Sequence, residues 1–302
     1  MSESPLVSAP FPPQPVLCFC TAAFGSTYVD LAKLLAADLQ QFAPDRPCLI
    51  LTDRPDDFAG FPNVQAIQHR CRGVMSYHER RFAIQRGLQI AQSVMYLDAD
   101  VRICAPIPPD LSFSPGLTAR SCGPMQRHLQ EQFDRPTRSI ASYRKQWIID
   151  QMAAKVGMNM TDPAIKFINE FLFVVTADQG REQAFLQQWG ELAIYADTLG
   201  MHKHPTYAMA LAAVKVGFPI QHSEMIGLDF FDDRIEQIRI RNGQSTPEAK
   251  ASYFQAQAQI ERRSRSGMQS LWQRMIQPIR LVYHRQRVRR MAAIAIDRLV
   301  DG

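Results

Sequence analysis

The chain has 302 residues, 46% of them apolar and 21% charged, with 34 lysines and arginines against 29 acids. That composition fits a folded globular protein and excludes a collagen, a disulfide scaffold and a largely disordered chain; no apolar run approaches the roughly 20 residues of a membrane span. Residues 261–302 hold ten arginines against three acids, so the net +5 comes from the tail and the other 260 residues carry −2. A nearly neutral body is not a nucleic-acid-binding surface, and no nucleic-acid partner is expected.

Residues 1–15, with five prolines and an acidic start, read as a flexible leader and not as a secretory signal. An apolar strand is predicted at 16–21. Leu31, Leu34, Leu35, Leu39 and Phe42 then recur at helical spacing. Pro44 and Pro47 stop that helix before a second buried strand, Cys48–Thr52, closed by Asp53. Two such strands around a helix predict a βαβ unit and a parallel sheet. A weaker strand follows at 65–68, a helix at 76–92, and a buried strand over 93–97 that runs into Asp98-Ala99-Asp100. Further strands are predicted at 101–104 and 117–121, and a polar helix-prone stretch at 128–157. The most apolar strand lies at 171–176, followed by helices at 181–196 and 205–216 and a last strand near 220–222. The alternation predicts one α/β domain over 16–250 and a basic helical appendage over 251–302.

Six cysteines include no CxxC pair. Cys18 and Cys20 fall on one face of a strand, where small thiols serve as core. Unpaired thiols of this kind point to a reducing cytoplasm.

The sharpest chemical signal is Tyr96-Leu-Asp-Ala-Asp-Val101. Ligands of open α/β sheets collect beyond the carboxyl ends of strands, where Asp98 and Asp100 stand. An extended backbone would point both carboxylates to one side. Held together at neutral pH they repel, so the pair calls for a cation. Oxygen ligands suit Mg²⁺ or Mn²⁺, which bridge to substrate phosphates. A simple turn after a strand would also place aspartates here.

In this context the sequence resembles nucleotide-sugar-dependent glycosyltransferases of the GT-A fold, particularly the family eight branch. "MYLDADVRI" is similar to their strand–DxD–strand, "VLCFCTAAFGSTYVDLAKLLAADLQQF…CLILTD" to their first βαβ unit, and "FINEFLFVV" to their "FNAGVFVF"-type strand. The resemblance spans about residues 16–225. It implies a Rossmann-like mixed sheet, Mn²⁺ or Mg²⁺, a UDP- or GDP-sugar donor, and a carbohydrate or lipid-linked acceptor. By the resemblance, Asp98 and Asp100 hold the metal. Thr21, Ala22 and Ala23 line the nucleotide pocket through backbone groups, and Asp53 meets base or ribose. Arg81, 17 residues before the first aspartate, contacts the diphosphate or the sugar; the neighbouring Glu79 and Arg80 depart from the family's pattern. Asn169 and Glu170 face the donor sugar, and some relatives use a carboxylate there as base or nucleophile. His222 stands for the family's late histidine, a third metal ligand, although "QHSEMIG" does not reproduce the surrounding motif. His202-Lys203-His204 replaces acidic residues of the relatives; neutral His204 is a candidate base, and His202-Lys203 a candidate anion site. His69, His78, His128 and His284 show no constellation.

Three rivals remain. A sugar nucleotidyltransferase wants a basic Gly-rich loop after strand 1, and "TAAFGST" has one glycine and no basic residue. An aspartyl phosphatase wants DxDx[TV], and Arg102 fills the final position. A partner-binding module could keep the fold without turnover. Between its arginines, the tail spaces Leu271, Trp272, Met275, Ile276, Ile279, Leu281, Val282, Val288 and Met291 as an amphipathic helix. Such a helix either packs on the domain or rests on the anionic inner face of a membrane.

Overall fold

The computed structural model describes residues 16–134, 138–265, 278–279 and 281–290. The proline-rich leader and 25 of the 42 residues 261–302, with three of their ten arginines, lie outside them.

The first unit is β1 (Leu17–Ala23), α1 (Ser26–Phe42) and β2 (Cys48–Thr52). It is followed by β3 (Val64–Gln68), α2 (Arg80–Gly87) and β4 (Ser93–Leu97). Next come β5 (Arg102–Ile103), β6 (Gly116–Ala119), β7 (Cys122–Pro124), α3 (Met125–Phe133) and α4 (Ile140–Lys155). Then follow β8 (Lys166–Ile168), β9 (Leu172–Thr176), α5 (Arg181–Leu199) and α6 (Thr206–Lys215). The chain continues through β10 (Ile220–His222), β11 (Phe230–Phe231), α7 (Asp233–Arg241) and α8 (Ala251–Arg265).

Seven strands form one mixed, Rossmann-like sheet in the order β3-β2-β1-β4-β9-β6-β10. Six share a direction, and β9 alone runs against its neighbours β4 and β6. The central strands are buried on both faces, which is why they read as continuous apolar runs without alternation. On one face Leu17, Phe19 and Met95 pack with Val29, Leu35 and Leu39 of α1. On the other, Cys18, Cys20, Val94 and Tyr96 pack with Ile84 of α2 and Trp189 of α5. The CxC thiols are thus core, and burial pushes Cys18 up to about 12, far from any reactive thiolate.

The helix expected at 76–92 shortens to Arg80–Gly87, preceded by a 3₁₀ turn at Ser76–His78. The stretch at 128–157 divides into α3 and α4. The strand expected at 101–104 shortens to β5 and leaves the main sheet to pair with β11. Arg102 explains that departure. It makes a bidentate pair with Asp38 of α1 at 2.6 and 2.7 Å, and Asp38 also accepts the Ile103 amide at 3.1 Å. The segment after Asp100 is thereby pinned to α1. The appendage beyond 250 is helical where described, and it is not detached. Phe254 stacks edge-on against Phe231 at 4.8 Å, and the Gln257 amide donates to the Asp100 carbonyl. No helix among the described residues is long and apolar enough to cross a membrane.

Candidate active site

The buried ladder of β4 and β9 carries the chain to Asp98, whose amide still donates to Phe171 O at 2.8 Å. The extended backbone expected through Asp98–Asp100 is not found. Val101 N closes a turn onto Asp98 O at 3.0 Å, since β5 must reach α1 instead of prolonging the sheet. Both carboxylates nevertheless line a cavity of about 600 Å³ at the carboxyl ends of β1 and β4. Ala22, Phe24 and Tyr28 form its β1–α1 side, and residues between Cys71 and Tyr77 form the opposite wall. Burial, then repulsion by Asp98 and Asp232, raises the Asp100 carboxyl to about 6, against the pull of Arg234.

Arg80 fixes the first aspartate. Its side chain is 5% exposed and meets Asp98 at 3.2 Å. It donates to Glu170 O at 2.5 Å and lies over the Tyr96 ring at 4.8 Å. Burial alone would lower its pKa; the charges of Asp98, Tyr96 and Glu170 outweigh it and raise it. Arg81, the residue expected to meet the donor, points elsewhere. It lies over Phe82 at 3.9 Å, and its guanidinium packs against α5 so closely that a Cβ on Gly190 would stand 2.6 Å from it. Burial lowers it to about 10. One residue along a helix turns the side chain by about 100°, which separates the site from the core here.

The wall at 71–77 is organised by Glu79, which is 1% exposed. Its carboxylate accepts the amides of Arg72 and Gly73 at 3.0 and 2.8 Å and meets His69 at 2.6 Å. Asp197 of α5 accepts the Val74 amide at 3.0 Å, and its other oxygen pairs with His202 at 2.7 Å. From the far side, Arg287 donates to the carbonyls of Cys71, Arg72 and Gly73 at 3.1, 2.7 and 3.2 Å. This seats the 281–290 helix beside the cavity, which Leu281 and His284 line.

A second cavity of about 200 Å³ adjoins the first. Tyr77, Arg80, Asp98 and Arg234 line both. Its own walls include Asn169, Glu170, Lys145, His128, His204 and Tyr207. Burial raises Glu170, opposed mainly by Arg80. His128 stacks on Phe167 at 3.8 Å, and the Tyr207 hydroxyl donates to Gln132 at 2.7 Å. His204 holds a left-handed backbone at φ 63°. Desolvation and the charges of Lys145 and Lys203 lower its imidazole to about 4, leaving a neutral ring at pH 7.

The remaining expected residues divide. Ala22 lines the first cavity. Thr21 and Ala23 are fully buried, and the Thr21 hydroxyl has no hydrogen-bond partner. Asp53 accepts the Gly25 amide at 3.1 Å and so braces the β1–α1 turn without lining either cavity. His202 is held by Asp197 outside both cavities. His222 lies on the edge strand β10, 48% exposed, beside Glu224 at 3.3 Å. Its strand pairs only with β6, three positions across the sheet from β4, so it joins neither cavity. Arg80, Glu79, Tyr77 and Arg234 were missed. A buried arginine on a helix and an acid within a loop carry no periodic signal that distinguishes them from surface charges.

The chemistry of the pair suits a hard divalent cation. Asp98 and Asp100 supply oxygens, and burial together with repulsion by Asp98 raises Asp100, a cost that an added positive charge would relieve. No group of three or more His, Cys, Asp or Glu side chains that could hold a metal occurs among the described residues. Mg²⁺ and Mn²⁺ beside a diphosphate need only one or two carboxylates.

No protein-family model and no curated protein matches this sequence. Among the solved structures that match is the apo form of WbbM, a bifunctional glycosyltransferase, at 11% identity and a TM-score of 0.42. The alignment covers 71% of this chain and 40% of that one.

Proposed function

We propose that this protein is a GT-A glycosyltransferase of the hexosyltransferase kind that moves a sugar from a nucleotide-diphosphate donor to an acceptor hydroxyl. One observation carries the reading: at the carboxyl end of β4, Asp98 stands where two cavities meet and Asp100 lines the larger of them. The larger cavity takes the nucleoside, with Phe24 and Tyr28 offering aromatic surface and Ala22 its backbone. The diphosphate lies across the shared wall. A Mn²⁺ or Mg²⁺ ion held by Asp98 and Asp100 would neutralise the departing diphosphate.

Arg80 holds Asp98 in place for that task. Asn169 and Glu170 hydrogen-bond the donor sugar in the smaller cavity. The aromatic faces of His128 and Tyr207 seat the acceptor. Neutral His204 takes the acceptor proton on a ring nitrogen as the new glycosidic bond forms. The +7 tail, seven of whose ten arginines lie in described residues, is read as an attachment to an anionic membrane surface on the cytoplasmic side through arginines other than Arg287, where a lipid-linked acceptor would be met.

Thermal shift with a panel of UDP- and GDP-sugars, with and without Mn²⁺, tests this reading. Ligand at a hundred times its Kd stabilises by about 2.7 kcal/mol, a rise of several degrees. A shift with one nucleotide class and larger with Mn²⁺ supports it. A flat response to every donor removes it.

A further inference from the structure

Arg234 is the second residue of α7, two positions after Asp232, whose carboxylate caps the helix by accepting the Ile235 amide at 3.0 Å. Its guanidinium faces the shared wall of both cavities. It stands 3.5 Å from Asp232 and 3.9 Å from Asp98, and its charge is also felt by Asp100. These are long contacts on a side chain that is 68% exposed. Arg80, by contrast, is locked by a 3.2 Å ion pair, a carbonyl and an aromatic face. Exposed pairs of this length are weak and exchange readily. The larger cavity therefore carries two acids, Asp98 and Asp100, one committed guanidinium and one that is free to re-pair.

A diphosphate arriving in this cavity meets Asp98 and Asp100. A guanidinium fork matches phosphate oxygens bidentately, and better than it matches carboxylates at 3.5–3.9 Å. We propose that Arg234 is a donor-binding residue that leaves its carboxylates for the diphosphate, so that nucleotide binding keeps a metal-independent component. This rests on the donor reading above and goes beyond it. The same geometry sets a competition. Arg234 neutralises the carboxylates that a divalent ion would use, so it weakens metal binding while no nucleotide is present.

The test measures binding, not turnover. Titrate UDP and GDP into wild type, Arg234→Met and Arg234→Lys by calorimetry in EDTA, and follow Mn²⁺ alone by paramagnetic resonance. Wild type should bind one of the two nucleotides in EDTA. Arg234→Met should bind it at least tenfold more weakly, and Arg234→Lys should fall between them, since a point charge replaces the fork. Mn²⁺ alone should bind Arg234→Met several-fold more tightly than wild type. Matching melting curves will establish that the variants fold, and the side chain's exposure favours that outcome. Equal nucleotide affinities in EDTA overturn the proposal, as does wild-type binding that appears only with Mn²⁺; in both cases the donor reading survives. Wild type that binds neither nucleotide under either condition sinks the donor reading and this inference with it.

Discussion

The larger cavity is walled by loops and carboxylates, whereas the smaller one is walled by side chains of α3, α4 and α6 and of the loops before β9 and α6, and its titratable rings stay neutral. The first depends on hubs behind it: Glu79 and Arg287 hold the 71–77 wall, and Arg102 with Asp38 holds the segment after Asp100. The second depends on the side chains that face it, with His128 on Phe167 and Tyr207 on Gln132. A cavity that concentrates acid needs positive charge from its ligand complex. A cavity that lowers imidazole pKa values keeps a base available. Charge management on one side and proton management on the other belong together in group transfer between two substrates.

Asp100→Ala breaks the comparison most severely. Donor turnover should fall at least a hundredfold, the scale of losing one transition-state electrostatic partner, and hydrolysis of the nucleotide sugar measures it. Stability should move the other way. The folded carboxyl at about 6 lies above its ordinary 3.8, so the folded state holds the proton more tightly than the unfolded state does. The charged form is therefore a cost at pH 7 that vanishes as pH falls through 6 toward 4. After discounting for the open cavity, Asp100→Asn should stabilise the ligand-free protein by about 1–2 kcal/mol at pH 7 and by much less at pH 4. Thermal melts at the two pH values check both signs.

Arg80→Met and Arg81→Met sharpen the boundary between site and core. The first strands Asp98 and frees the Glu170 carbonyl; breaking such a buried pair costs about 3 kcal/mol, and nucleotide binding should be lost with it. The second removes a half-buried guanidinium that no carboxylate pairs among the described residues, and should change stability by less than about 1 kcal/mol while leaving nucleotide affinity intact. Urea melts and calorimetry on the two neighbours decide the assignment. Equal effects would end it.

Glu79→Gln should affect the larger cavity alone. The amide can still accept from Gly73, but it loses the charge that serves Arg72, Gly73 and His69 together. Hydrogen bonds to a charged acceptor contribute about 1.5–3 kcal/mol, so nucleotide affinity should fall roughly tenfold, about 1.4 kcal/mol. Binding of an acceptor analogue to the smaller cavity should not change.

Sequence patterning reached the sheet because buried strands announce themselves: 93–97 and 171–176 are continuous apolar runs, and both became central. The reversed direction of β9 carries no such mark, since a doubly buried strand reads the same either way. Asp98 and Asp100 were legible through their place after β4. Arg80 was not, because helical spacing places an arginine on a face without saying what that face meets, and the neighbouring Arg81 satisfied the same interval. His222 was chosen by chain position, whereas the sheet order moves β10 to an edge beside β6. Arg234 lies in a stretch where neither periodicity nor motif distinguishes it; only the turn of α7 toward β4 brings it to the wall.

The effect that separates the two cavities by pH alone concerns His204. Its ring is neutral above about 4 and should lose its capacity to accept a proton only below that. Asp100 takes up its proton nearer 6, so the donor side should fail first on acidification. kcat/KM should therefore decline in two steps, one near pH 6 and one near pH 4. His204→Asn keeps a residue type that tolerates the left-handed backbone at φ 63° and removes the imidazole. It should lower kcat by about a hundredfold or more, erase the lower step and preserve the upper one. Loss of the upper step instead would place the titrating group of the donor side on His204 and not on Asp100. A profile of Arg80→Met cannot substitute for this experiment, because that variant disturbs both cavities at once.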